Sequence, residues 1–215
     1  MENTTPPTNN VQVMCEWEAN YKTDPLRSYV NTVWQVILHP VSYFATIKPF
    51  QNYFSLSVFI YINCILVTVS SFISQSMVQF VTHKPAQVVA GLPGYLCGII
   101  VLPFVFLGIT YVLAGIYHLL FTLVGGSKKD YRTTATVYGL GTLIGIFGIV
   151  PVLGTIVGIV YHLLVNIGGQ AKAHEISTTR AACSVLLLAC GCCCLLGVFA
   201  FTFSAFIATI ASSFK

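Results

Sequence analysis

The sequence predicts an all-α integral membrane protein, with five transmembrane helices preceded by a cytoplasmic amphipathic interfacial helix. Of the 215 residues, 56% are hydrophobic and only 7% are charged, and the mean hydropathy is +0.82. A soluble domain carries charge on about a quarter of its residues. Long apolar runs recur from residue 56 onward, and lysines and arginines gather in alternate loops between them. With so few charges to cover a water-facing surface, the chain is expected to cross a bilayer repeatedly.

The N-terminal segment divides into a tail and a helix. Residues 1–23 lack periodic apolar positions, which predicts a disordered cytoplasmic tail, and no signal peptide is expected in them. Asp24 and Pro25 provide a helix cap and a first helical residue. Apolar residues then recur every three or four positions, so residues 24–50 are expected to form an amphipathic helix at the membrane surface, kinked at Pro40. The alternative is a helix packed on a soluble core, but the sequence leaves few residues to form such a core.

The membrane domain is expected to occupy residues 51–215. A hydrocarbon layer of about 30 Å requires about 20 apolar residues in a helix. The second run is too long for one simple crossing, so Pro93 is expected to mark its start and Pro103 a kink, and its path stays open. The predicted spans are residues 56–81, 92–124, 133–149, 151–168 and 181–211.

The positive charges predict the orientation. Eight of the ten lysines and arginines lie in the N-terminal segment or in the loops that follow the second and fourth spans. Because cytoplasmic loops are enriched in these residues, the N-terminus is expected in the cytoplasm and the C-terminus outside. Lys128, Lys129 and Arg132 are candidate contacts for anionic lipid headgroups, although charge that only sets the topology explains them equally well.

Small residues in the third and fourth spans indicate close helix packing. Glycines recur at four-residue spacing, which lets two backbones approach where lipid offers no hydrophobic drive for association. The glycines concerned are Gly141, Gly145, Gly154 and Gly158.

Two histidines within apolar runs define a candidate intramembrane polar site. His118 and His162 each follow a tyrosine, and each lies six to eight residues before a glycine pair, about 10 Å from the cytoplasmic exit. Histidine is uncommon in spans and usually faces the bundle interior. We therefore predict a proton-linked or metal-linked site formed with Tyr117, Tyr161 and Asn166. The alternative is two imidazoles that only bond hydroxyls or carbonyls of neighbouring helices.

The sequence gives no indication of an enzyme. No acidic residue lies within a predicted span, and no hydrolase, zinc or phosphate-binding motif occurs. We expect no catalytic residue, no cofactor and no metal site. Cysteines crowd residues 190–194, but thiols on one helix point in all directions. At most two of them could form a soft metal site, so small-residue packing is the expected role.

Several features follow one another in a recognisable order. They are an apolar aromatic segment that leads to a proline and two aromatic residues, a histidine and a glycine pair at the exit of the second span, a tyrosine in the third span, a proline-glycine turn, and a loop histidine. The residues are Trp34, Pro40, Tyr43, Phe44, His118, Gly125, Gly126, Tyr138, Pro151, Gly154 and His174. In this order they resemble the Yip family of Ypt/Rab-interacting membrane proteins, and especially its prokaryotic branch.

The resemblance implies a five-span bundle with a cytosolic N-terminus, located in a prokaryotic cytoplasmic (inner) membrane. Eukaryotic members take part in vesicle formation and Rab GTPase recruitment, although they usually have a longer N-terminal region than this chain. The resemblance therefore implies a non-enzymatic, membrane-organising or partner-recruiting component that acts from its cytoplasmic face. Its partners would be the lipid bilayer and other membrane proteins or a small GTPase, with no nucleic acid and with an oligomer left open. The alternative is a small-solute or ion permease with its polar site near His118 and His162.

Overall fold

The computed structural model describes residues 12–83, 85–125 and 128–213, and it describes no side chain for residue 85 and several positions from 192 onward. Predictions that concern residues 1–11, Lys84, Gly126, Lys215 and the Cys192 side chain lie outside the described residues. The described chain is a helical bundle. Its elements are α1 (Glu16–Asn20), α2 (Pro25–Leu38), α3 (Ser42–Thr46), α4 (Tyr53–Val81), α5 (Pro85–Gly125), α6 (Tyr131–Gly141), a 3₁₀ helix (Thr142–Ile149), α7 (Leu153–Leu163), a π-helical segment (Leu164–Gly169), α8 (Gln170–His174) and α9 (Thr178–Ser213).

Side-chain caps fix the starts of three helices. The Asp24 carboxylate accepts a hydrogen bond from the backbone of α2 at 3.3 Å, and Pro25 is the first helical residue, as predicted. The Asn52 side chain accepts from the backbone N–H of Phe54 at 2.9 Å and begins α4. Asp130 caps α6 in the same way. Each cap satisfies a backbone N–H that has no partner within its helix.

Three helical segments of the described chain are long and apolar enough to cross a membrane, namely Tyr53–Val81, Ala86–Gly125 and Leu153–His174. A fourth apolar stretch, Thr178–Gly191, is shorter. The second of these segments differs from the prediction, because α5 begins seven residues before residue 92 and stays helical through both Pro93 and Pro103. At about 1.5 Å per residue, its 41 residues extend for about 60 Å, roughly twice the hydrocarbon thickness.

The prediction that the fourth span ends at a glycine pair is wrong. Gly168 and Gly169 lie in the π-helical segment, and the helical run continues to His174. A side chain on these glycines would come within 2.7 Å of Val41 and of Phe44, so the glycines allow close approach and do not stop the helix. The helix ends where Glu175 adopts a left-handed conformation with φ of 56°.

The prediction of a disordered tail is wrong for residues 12–23. Trp17 in α1 is 2% exposed, and its indole N–H donates to the carbonyl of Ser55 at 2.7 Å. The Glu18 carboxylate accepts from the backbone N–H groups of Gln51 and Asn52 at 2.7 and 2.8 Å, immediately before α4. These contacts join the polar N-terminal segment to the start of α4.

Helix α2 presents two different faces. Its buried face consists of Ser28, Thr32 and Val36, so small and partly polar side chains pack on the bundle. Exposed apolar side chains recur every four residues on another face, which we call the α2 ridge. The α2 ridge consists of Leu26, Val30, Trp34 and Leu38.

The predicted helix over residues 24–50 is broken, not merely kinked. Helix α2 ends at Leu38, just before Pro40, and the separate α3 follows the turn. Proline in a helix interior removes a backbone hydrogen bond, which favours this break.

The predicted packing glycines fall into two groups. A Cβ on Gly145 would come within 2.6 Å of Val67 in α4, and one on Gly141 within 3.1 Å of Val165. Gly154 lies against the carbonyl of Phe147 across the turn between the 3₁₀ helix and α7. Gly158 has no such neighbour, since the nearest atoms lie 3.8 Å away or more.

Three cysteines of α9 do not pack against the rest of the described chain. Cys190, Cys193 and Cys194 all have exposed side chains, in contrast to the packing expected of them. Among the residues that the structure describes, no group of three or more His, Cys, Asp or Glu side chains could hold a metal ion.

Candidate functional site

A threonine hydroxyl joins two histidines at one end of the bundle. His118 Nδ1 in α5 lies 3.0 Å from Thr134 Oγ1 in α6, and the same hydroxyl lies 2.9 Å from His174 Nε2 in α8. Thr134 and His174 are fully buried, and the two imidazole centroids are 6.0 Å apart. A hydroxyl has a single hydrogen, so it donates to one ring and accepts from the other. We call this arrangement the His-Thr-His bridge.

Neighbouring groups hold the His-Thr-His bridge in position. Gln170 Nε2 donates to the Thr134 carbonyl at 3.3 Å, while its Oε1 is buried without a partner among the described residues. The Tyr131 ring contacts His118 edge-on at 6.0 Å, and Phe121 contacts His174 at 5.4 Å. The bridge therefore links three helical elements through one buried side chain.

The two histidines of the predicted site contact different neighbours. His118 bonds Thr134, whereas the His162 ring contacts Tyr138 at 6.3 Å. Tyr117 lies between the two groups, because its ring is 5.3 Å from Tyr138 and 6.1 Å from Phe121, which in turn contacts His174. Equivalent positions in the two Tyr-His repeats therefore meet different helices, and a shared function of the two histidines stays a prediction.

Two other predicted members of the site make contacts within the fold. The Tyr161 hydroxyl donates to the carbonyls of Val36 and Ile37, the former at 2.6 Å, and so satisfies the C-terminal end of α2. Asn166 Nδ2 donates to the His162 carbonyl at 3.0 Å, while its Oδ1 is buried without a partner in the described chain.

The predicted site includes neither Thr134 nor His174. The glycine pair predicts a loop around His174, whereas the π-helical segment carries the helix past those glycines. Gln170 and His174 stand four residues apart, which puts them on one helical face. This spacing would indicate a shared polar face if the predicted fourth helix were extended past its glycine pair.

Two of the three residues that are predicted to contact lipid headgroups bind other side chains of the protein. Lys129 Nζ lies 2.8 Å from the Glu175 carboxylate, and this hydrogen bond lowers the pKa of Glu175. Both side chains are substantially exposed, so the ion pair contributes little stability. Arg132 donates to the Gln51 side chain at 3.1 Å and lies over the Tyr53 ring. Lys128 is exposed.

His162 lines a cleft between α4, α5, the 3₁₀ helix and α7. The cleft has a volume of about 510 Å³. Its walls are mainly aliphatic side chains and glycines, and none of the described residues that line it is charged. Tyr138, Thr142 and His162 bring polar groups to it.

A family model for the Yip1 domain matches residues 34–212. The chain belongs to the Yip1-domain family. This membership confirms the resemblance and, with the apolar helices, identifies an integral multi-pass membrane protein of a generally non-enzymatic family. Comparison with curated proteins and with solved structures found no match. Helix α1 and the first part of α2 precede the matched Yip1 region, yet Trp17 packs against it.

Proposed function

We propose that this Yip1-domain protein is a five-span component that organises the membrane or recruits a partner from its cytoplasmic face, in a prokaryotic inner membrane. The α2 ridge is the observation that carries the proposal. Leu26, Trp34 and Leu38 are 76%, 54% and 62% exposed on a segment that is itself docked to the bundle. An apolar ridge held in place by buried contacts is a surface that requires an apolar partner or the membrane interface.

Contacts at one end of the bundle support the proposed topology. Arg132 at the start of α6 binds Gln51 before α4, and Arg180 at the start of α9 donates to the carbonyl of Gly125 at the end of α5 at 3.2 Å. The start of α6 therefore lies beside the start of α4, and the start of α9 lies beside the end of α5, as expected for five antiparallel crossings. The same end collects most of the lysines and arginines, which favours a cytoplasmic location for it.

Epitope insertion tests this topology. A tag in the turn at residues 150–152 is expected to be accessible from outside the cell, and a tag in the turn at residues 175–177 only after permeabilisation. A tag at residue 83 provides a second outside position. An inaccessible tag at 150–152 would mean that the α6–α7 hairpin enters and leaves on the same side, and that the five-span arrangement is wrong.

Replacing the α2 ridge tests the recruiting role. The triple variant Leu26→Ser, Trp34→Ser, Leu38→Ser is expected to keep the free energy of unfolding within about 1 kcal/mol of the wild type, because the three side chains are exposed. A partner that the wild type retains stoichiometrically in mild detergent should be lost. A double variant at exposed polar positions of the same helix, Arg27→Ser with Gln35→Ser, is the matched control.

The partner identified in this way decides between recruitment and organisation of lipid. A small GTPase or another membrane protein would support recruitment, and crosslinking of residue 34 to lipid alone would support an interfacial role. Retention of the partner by the ridge variant would contradict the assignment of the ridge as the recruiting surface.

A permease is the second candidate function, favoured by the cleft beside His162. The absence of any charged lining residue argues against it, since proton-coupled and ion-coupled carriers commonly use buried carboxylates. Solute flux in liposomes that disappears in the double variant His118→Ala, His162→Ala, with no partner retained by the wild type, would replace recruitment with transport.

A further inference from the structure

We propose that the cleft beside His162 binds a neutral lipid with one hydroxyl or carbonyl head group. The inference is independent of the partner-recruiting role, because the residues that line the cleft differ from those of the α2 ridge. A volume of about 510 Å³ lies within the range of sites that hold small organic ligands, which are mostly apolar with a few polar groups.

The His162 imidazole indicates where the head group binds. Its ring contacts Tyr138 but forms no hydrogen bond with any part of the chain that the structure describes. A neutral imidazole has one N–H donor and one acceptor nitrogen. Leaving such groups unpaired in an apolar environment is costly, so a ligand hydroxyl or carbonyl that bonds the ring would be stabilised there.

The lining of the cleft selects a neutral lipid. Among the residues that the structure describes, no Asp, Glu, Lys or Arg lines it, so a phosphate or carboxylate head group would lack a counter-charge. Ile109, Ile159 and Leu163 line the cleft and are also exposed on the apolar surface. A molecule that enters past these side chains from the bilayer must be apolar over most of its length, which disfavours hydrophilic solutes.

Glycines provide the space for the aliphatic chain. A Cβ on Gly148 would meet no atom within 4 Å, and one on Gly158 would make only ordinary contacts with Ile144. Both glycines line the cleft, together with the aliphatic wall of α5. Unlike Gly145, which packs tightly on Val67, they leave room that the fold itself does not fill.

Photo-crosslinking with a diazirine-bearing fatty alcohol tests the proposal in the full-length protein in nanodiscs. We expect labelling of the α7 peptide that unlabelled fatty alcohol competes away. Gly158→Leu should abolish this saturable labelling because leucine fills the cleft, and Gly148→Leu should do the same. Gly108→Leu is the matched control, since Gly108 lies on α5 outside the cleft with no neighbour within 4 Å of its Cβ.

The His162 variants test the head-group contact. His162→Ala should weaken the apparent affinity for the fatty alcohol about fivefold, the equivalent of one hydrogen bond, and His162→Gln should restore part of it. A probe of the same chain length with a phosphate head should label the cleft weakly. Size-exclusion profiles and unfolding midpoints identify any variant that does not fold. The glycine and histidine variants that do fold then test whether the cleft binds the lipid.

Three outcomes would overturn the proposal. Labelling that Gly148→Leu and Gly158→Leu leave unchanged would show ordinary bilayer lipid, and equal labelling by the phosphate probe would refute selection of a neutral head group. Solute flux in liposomes that is lost in the same two variants, without saturable lipid labelling, would make the cleft a passage for solute.

Discussion

Trp17→Ala is expected to lower the free energy of unfolding by about 3–5 kcal/mol, as for other buried tryptophans. The side chain is almost completely buried between the rings of Tyr21, Tyr29 and Phe59, with centroids 5.6 to 6.0 Å away. Its removal also leaves the carbonyl of Ser55 without the indole N–H. Thermal or denaturant unfolding in detergent measures the change.

The second tryptophan of the chain provides the matched control. Trp34 lies on the α2 ridge and is 54% exposed, so Trp34→Ala should change the unfolding free energy by less than about 1 kcal/mol. The comparison separates burial from the general effect of losing an indole ring.

Cysteine labelling gives the Trp17 experiment a local measurement. The Cys15 thiol is 1% exposed, and burial raises its pKa. Since the thiolate is the reactive form, native protein should resist maleimide at this position at neutral pH. Trp17→Ala should make Cys15 reactive and Trp34→Ala should not, with the modified peptide identified by mass spectrometry. Fast labelling of Cys15 in the wild type would mean that residues 12–23 are undocked, as their composition alone predicts.

The start of α2 could be predicted because it depends on local chemistry. Asp24 with Pro25 satisfies the first turn of α2 wherever that helix lies in the fold, and the apolar runs identify the long helices by hydropathy alone. These features require no knowledge of which helix packs against which.

The docked N-terminal segment could not be predicted from periodicity. One buried tryptophan and the capping carboxylate of Glu18 hold it, and neither produces a repeating pattern. The ring contacts of the two predicted histidines could not be read from the sequence for a related reason. His118 and His162 repeat in sequence, but the rotation and tilt of α5 and α7 decide which neighbour each ring meets, and those depend on packing.

Thr134→Val is expected to destabilise the protein by about 2–4 kcal/mol. Valine keeps the shape of threonine but removes the hydroxyl that bonds both His118 and His174. Loss of a partner costs a buried polar group about 1–3 kcal/mol, and the variant removes the hydroxyl from one nitrogen of each ring. Unfolding in detergent measures the loss. Thr122→Val is the control, since the exposed Thr122 hydroxyl donates only to the His118 carbonyl of its own helix at 2.9 Å.

A double-mutant cycle shows whether the three side chains act as one unit. If the hydroxyl serves both rings, the effect of Thr134→Val should shrink in a background that already has His118→Ala and His174→Ala, because no imidazole remains to be left unpaired. Strictly additive effects would mean that Thr134 contributes only through packing. A large coupling would identify the His-Thr-His bridge as the contact that joins α5, α6 and α8. Since α8 continues from the glycines that pack on Val41 and Phe44, the bridge would then also stabilise the docking of the N-terminal segment.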